Sequence, residues 1–136
     1  MAQNITIDNV EIRKRYYKSG ALWWETPYVN GMQHGIAKSY YESGDICYET
    51  PYVNGRIHGI EKCYFKSGAL EREIPYVTGN LNGIAKIYYE SGALRREIPY
   101  VNGETHGISR EYDKDNSNVC CLTLYDNDHK VASVKI

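Results

Sequence analysis

A single spacing constrains this chain more than its composition does. The segment PYVNG begins at Pro27, Pro51 and Pro99, and a PYVTG variant begins at Pro75. Ser-Gly ends at Gly20, Gly44, Gly68 and Gly92, and an Ile recurs at Ile12, Ile36, Ile60, Ile84 and Ile108. All these series step by 24 residues. A strict period in this range marks a repeat architecture, in which each unit buries its apolar surface only against its neighbours.

Each unit holds two extended runs separated by two turn signals. The first run is GIAKSYY-like and the second is ALxxExPYV-like. β-Branched and aromatic residues fill both runs, and no helical period is sustained. Ser-Gly between them suits a tight hairpin loop, and the VNGMQHG connection opens on Asn-Gly. The expected fold is all-β: a single-layer, elongated, twisted antiparallel meander of repeated β-hairpins, about a dozen strands long. Residues 1–11 form an N-terminal cap strand with a turn signal at Asp8-Asn9, residues 12–112 the repeats, and residues 113–136 a C-terminal β cap.

Register follows from arithmetic. A two-residue loop at Ser43-Gly44 pairs residues whose numbers sum to 87, and a connection symmetric about Gly31-Met32 pairs residues that sum to 63. Carried along the chain, the two rules align Lys14, Glu25, Lys38, Glu49, Lys62, Glu73, Lys86, Glu97 and Arg110. The signs alternate throughout, although charge did not enter the derivation. Each exposed pair contributes only about 0.2–1 kcal/mol. The ladder matters more for register, because a one-residue slip sends every side chain to the opposite face. At the next position the rules place Cys121. They set Tyr28 and Leu22 opposite Gly35 and Tyr41, on an aromatic face that carries Trp24, Thr26, Ala37 and Ser39. An apolar stripe of Tyr17, Leu22, Tyr41, Ile46, Phe65, Leu70, Tyr89 and Leu94 runs along its Ser-Gly margin. Proline donates no hydrogen bond, so the pairing is expected to break or bulge near Pro27, Pro51, Pro75 and Pro99.

Several function classes recede on this reading. The formal net charge of −1 argues against electrostatic capture of nucleic acid or anionic membrane, which needs clustered positive charge. No apolar run reaches membrane-spanning length, and the start MAQNITIDN has no signal-peptide pattern. Cys47, Cys63, Cys120 and Cys121 lack metal-ligand spacing and read as reduced thiols of a cytoplasmic protein. The vicinal pair Cys120-Cys121 is expected on opposite faces of a strand. His34, His58 and His106 recur two strands apart, roughly 10 Å, too far for one metal ion with ligands at about 2 Å. They read as groups that stabilise the turn or cover Tyr rings. A ladder repeated in every unit lacks the asymmetry of a catalytic site. No enzyme activity and no cofactor are expected.

The motif Tyr28, Asn30-Gly31, His34-Gly35, Tyr40-Tyr41, Gly44 resembles MORN repeats, in the variant common in bacterial proteins, over roughly residues 12–112. The resemblance implies stacked hairpins in one sheet and an interaction scaffold. Some bacterial members resemble antitoxin or immunity proteins, which gives the expected function: binding and neutralising a cognate protein toxin. The alternative is a general scaffold or self-assembling module, with a homodimer among its forms. A single-layer sheet has no second layer to cover its rings, and a large exposed aromatic surface marks an interaction site. The candidate partner-binding residues are Trp23, Trp24, Tyr28, Tyr41, Tyr48 and Tyr52.

Overall fold

The computed structural model describes residues 1–7 and 9–136. Of the Asp8-Asn9 turn signal, Asp8 lies outside them. Among the described residues every regular element is a strand. Twelve strands form the main path of one sheet, in sequence order and antiparallel throughout. They are β1 (Ala2–Ile7), β2 (Val10–Tyr16), β3 (Leu22–Val29), β5 (Gly35–Tyr40), β6 (Ile46–Val53), β8 (Gly59–Tyr64), β9 (Leu70–Val77), β11 (Gly83–Tyr88), β12 (Leu94–Val101), β14 (Gly107–Tyr112), β15 (Val119–Asp126) and β16 (His129–Lys135). Four two-residue strands, β4 (Met32–Gln33), β7 (Arg56–Ile57), β10 (Asn80–Leu81) and β13 (Glu104–Thr105), pair back onto β3, β6, β9 and β12.

The charge ladder is in register across all nine strands. Lys14 pairs with Glu25, Glu25 with Lys38, Lys38 with Glu49, and so on to Glu97 with Arg110. The loops that produce this register differ from those expected. At the Ser-Gly end, Tyr41 N–H donates to Asp45 O (2.8 Å) and Gly44 N–H to Tyr41 O (2.9 Å), closing a three-residue loop with Gly44 at φ +96°. This turn pairs Tyr40 with Ile46, a sum of 86. A bulge at Cys47 then restores the sum of 87 from Ser39–Tyr48 onward. Equivalent bulges fall at Trp23, Glu71, Arg95 and Cys120.

At the other end, Asn30 (φ 50°) and Gly31 (φ 76°) form a two-residue turn with both central residues left-handed, so Val29 pairs with Met32 and Tyr28 with Gln33. His34 N–H donates to Pro27 O (3.0 Å), and by Glu25–Lys38 the register has moved to the sum of 63. The break expected at each proline is present. A strand residue points its N–H and C=O to the same side. The missing proline donor therefore lies on the side where the ladder is interrupted. Gly35 is not beneath Tyr28, as the arithmetic had it. It pairs with Tyr52, at φ +103°, and a Cβ there would lie 3.1 Å from Pro27 Cγ.

The bulges also correct the face assignment at the Ser-Gly margin. Leu22, Ile46, Leu70 and Leu94 pair with Tyr16, Tyr40, Tyr64 and Tyr88 on the ladder face rather than the aromatic face. Tyr41 closes the turn, just beyond the end of β5. The ladder's next position is Leu122, opposite Arg110, because the Asp113–Asn118 loop is longer than Ser-Gly; Cys121 pairs with Glu111 instead.

Burial separates the two faces. The buried residues are all small and all on the aromatic face: Thr26, Cys63, Ala85 and Ser109. Ile36, Ile60 and Ile84, on the ladder face, remain 50–52% exposed. Without a second layer, a small side chain is buried only when long neighbours fold over it. Arg96 Nε, for example, donates to Ser109 Oγ (3.3 Å), which itself donates to Glu97 O (2.9 Å).

Candidate interaction surface

On the aromatic face the strands stack one residue each into a row parallel to the ladder. Its order is Arg15, Trp24, Ser39, Tyr48, Cys63, Arg72, Ile87, Arg96 and Glu111. The second run of each unit contributes Trp24, Tyr48, Arg72 and Arg96 in turn. The row thus passes from aromatic to cationic along the molecule.

Simple alternation would send Trp23 and Trp24 to opposite faces. The bulge at Trp23 brings both to the same groove. That groove has a volume of about 460 Å³ and is lined by Trp23, Trp24, Tyr28, Tyr48 and Tyr52 around Thr26, Ala37, Ser39 and Thr50. Five of the six expected partner-binding residues therefore meet in one place. Tyr41 does not line it. Its hydroxyl donates to Tyr64 O (2.6 Å), and contact with the Cys47 thiol helps push its pKa up to about 12.

Two arginines frame the groove on its N-terminal side. The Arg13 guanidinium lies 4.0 Å from the Tyr28 ring centre and that of Arg15 lies 5.7 Å from Trp24. Arg13 is held in place by Glu11 through two hydrogen bonds of 3.0 and 3.1 Å. Trp23 is 45% exposed and packs against Tyr17 at 6.0 Å between ring centres. Large rings beside small residues, with cations over their faces, form a surface suited to burying apolar or aromatic side chains of a partner.

Further along the row the surface closes. Arg72 Nη2 donates to Tyr48 OH (3.1 Å) and lies 3.4 Å from the Cys63 thiol, and burial pushes that thiol's pKa up. Arg72 Nε is buried without a hydrogen-bond partner, its nearest carboxylate oxygen being Glu71 Oε1 at 3.6 Å. Cys120 was expected on the face opposite Cys121. Instead the bulge turns it toward Arg96 and Glu111, on the face where Cys121 approaches Thr123 and Ser133. All four cysteines are free thiols.

The ladder face is tied in a way that counting charges did not reveal. Among the described residues only Lys14 and Glu25 approach within ion-pair distance along the ladder, at 3.3 Å. The glutamates accept instead from tyrosines of the following unit: Tyr40 to Glu25 (2.8 Å), Tyr64 to Glu49 (2.7 Å), Tyr88 to Glu73 (2.6 Å) and Tyr112 to Glu97 (2.7 Å). The signal was present in the sequence, since Tyr follows Lys by two in every first run. Burial and the neighbouring carboxylates raise Tyr40, Tyr64 and Tyr88 to about 12.

The histidines serve the turns. Asn54 N–H points at His34 Nδ1 (3.5 Å) and Thr78 N–H at His58 Nδ1 (3.3 Å), while His106 Nδ1 lies 3.3 Å from Asp126. Among the described residues no group of three or more His, Cys, Asp or Glu side chains could hold a metal ion. Among the described residues no helix is long and apolar enough to cross a membrane.

The family model for the MORN repeat variant matches residues 33–54, 57–78 and 81–102. No curated protein matches the chain. Repeats of this kind are binding modules for proteins and membranes and are not themselves enzymes. Each matched segment runs from one Asn-Gly or Thr-Gly turn region to the next, so each contains one complete hairpin. Residues 33–102 therefore match three tandem MORN repeats of the variant type, and the candidate groove lies across the first of them and the hairpin before it.

Proposed function

We propose that the chain is a non-enzymatic protein-binding repeat that acts in the cytoplasm. Its aromatic face takes a protein partner through Trp23, Trp24, Tyr28, Tyr48 and Tyr52. One observation carries this reading: these five side chains line a single groove on a face that no second layer covers. Tyr41 lies outside the groove, its hydroxyl bonded to Tyr64 O, and is not among the proposed anchors. The partner we infer is a cognate bacterial toxin, neutralised by occlusion. That identity is supported by the resemblance to antitoxin-like repeats, and the groove supplies the means.

Truncating a ring that acts as a binding hot spot costs about 2 kcal/mol or more. The doubly substituted chain Trp24→Ala, Tyr48→Ala is expected to lose a co-purified partner while retaining its β-sheet circular dichroism. Arg96→Ala, outside the groove, serves as the control and should retain the partner. Retention by the double variant would rule out this surface. For the finer claim, cells expressing the recovered partner alone should stop growing, and co-expression of this chain should restore growth. A partner that is harmless on its own would refute the toxin assignment and leave the binding surface standing.

A further inference from the structure

The sheet ends in two strands whose outer sides pair with nothing among the described residues, β1 at one end and β16 at the other. Such edges offer a row of unpaired backbone donors and acceptors, and proteins ordinarily blunt them with charge, proline or bulges. β1, AQNITI, has neither charge nor proline. β16 carries a bulge between its Lys130 and Ala132 pairings, but Ala132–Lys135 beyond it runs in regular register against Cys121–Leu124.

We propose that these two edges pair with each other between copies of this chain, head to tail. Three observations point the same way. The main path contains an even number of strands, twelve, all antiparallel. A copy displaced past β16 without being turned over therefore presents its β1 antiparallel to β16, continuing the alternation. The faces then match. Ile5 and Ile7 share the face of Ile12, and Ala132 and Val134 that of Leu122 and Leu124, so all four lie on the ladder face. The register that sets Ile5 opposite Val134 and Ile7 opposite Ala132 also sets Thr6 opposite Ser133 on the aromatic face. Finally, Ile7 is 62% exposed and Val134 55%, so apolar side chains stand open on both edges. Pairing β16 with another β16 would instead gather Lys130, Lys135 and His129 from both copies with no acid among them. Pairing β1 with another β1 would leave Val134 uncovered.

A head-to-tail contact does not close on a twofold, so the product is an open chain of molecules. It leaves the Trp24–Tyr48 groove free and stands independently of the partner proposed above.

Sedimentation velocity of the full chain over a wide concentration range tests this. The wild type is expected to grow through successive multiples of the monomer mass. Ile5→Lys and Val134→Lys each block one edge, and each variant alone should sediment as a monomer. An equimolar mixture should stop at the dimer, because the intact β16 of one meets the intact β1 of the other. Circular dichroism of both variants confirms the sheet. A wild type that stays monomeric overturns the proposal, as does a mixture that stays monomeric. A dimer formed by either variant alone also overturns it, by showing a twofold edge contact.

Discussion

At the scale of single residues, the repeat carries its own controls. Four equivalent turns hold Asn30, Asn54, Thr78 and Asn102 at φ near 50°. Asparagine enters the left-handed region readily, whereas a β-branched residue is strained there. Thr78→Asn is therefore expected to stabilise the fold by about 1 kcal/mol, read as a rise in denaturation midpoint. A second internal control lies at the opposite margin. Tyr17, Tyr41 and Tyr89 each donate a hydroxyl to a carbonyl 23 residues on, at Tyr40, Tyr64 and Tyr112. Phe65 occupies the equivalent site and has no hydroxyl to offer Tyr88 O. Phe65→Tyr should add that bond and about 0.5–1 kcal/mol, again in equilibrium unfolding.

At the scale of strands and turns, the tyrosine–glutamate contacts define a pH response. Tyr40, Tyr64 and Tyr88 sit at about 12 in the folded chain, against an ordinary value of 10.0. A tyrosine raised by folding contributes its full stabilisation below the unfolded value and loses it as the pH climbs through the folded one. Stability should therefore fall between about pH 10 and pH 12, measured as denaturant midpoint against pH. Replacing all three with Phe should flatten that decline, while lowering the midpoint at neutral pH. This scale is also where sequence reasoning reached its limit. The sums of 87 and 63 located the ladder correctly, yet neither loop assumed in deriving them exists. A three-residue turn plus one bulged residue has the same sum as a two-residue loop. A two-residue Asn-Gly turn plus the two-residue break after Pro27 has the same sum as a wide one. Arithmetic on a period registers only these totals. Ladder pairs far from the turns were therefore legible. The residues beside the turns were not: Tyr41, Leu22, Ile46, Gly35 and Cys121. The groove was half legible, since its rings could be named but the bulge that brings Trp23 round to Trp24 could not.

At the scale of the molecule, contacts run almost entirely between adjacent strands, as in any quasi-one-dimensional array. Removing residues 60–83 joins Gly59 to Ile84 and brings Glu49 against Lys86 with Tyr88 near it, the same chemistry as before. The shortened chain is expected to fold to a sheet two long strands narrower. Its denaturant m-value should fall with the surface lost. Collapse to an unfolded chain would mean that the array depends on cooperation beyond nearest neighbours.

The division of labour between the faces has a further consequence. Ile-x-Lys-x-Tyr recurs on β2, β5, β8 and β11 and, with Arg for Lys, on β14, whereas the matching row on the reverse reads Trp24, Tyr48, Arg72, Arg96. The tyrosine–glutamate bonds that fasten one hairpin to the next are thus written on one side, and the row that varies most is written on the other. Shuffling whole units by recombination would reorder the variable side like beads on a string and leave the tyrosine–glutamate bonds intact, so such a gene can change what it recognises without reinventing how it folds.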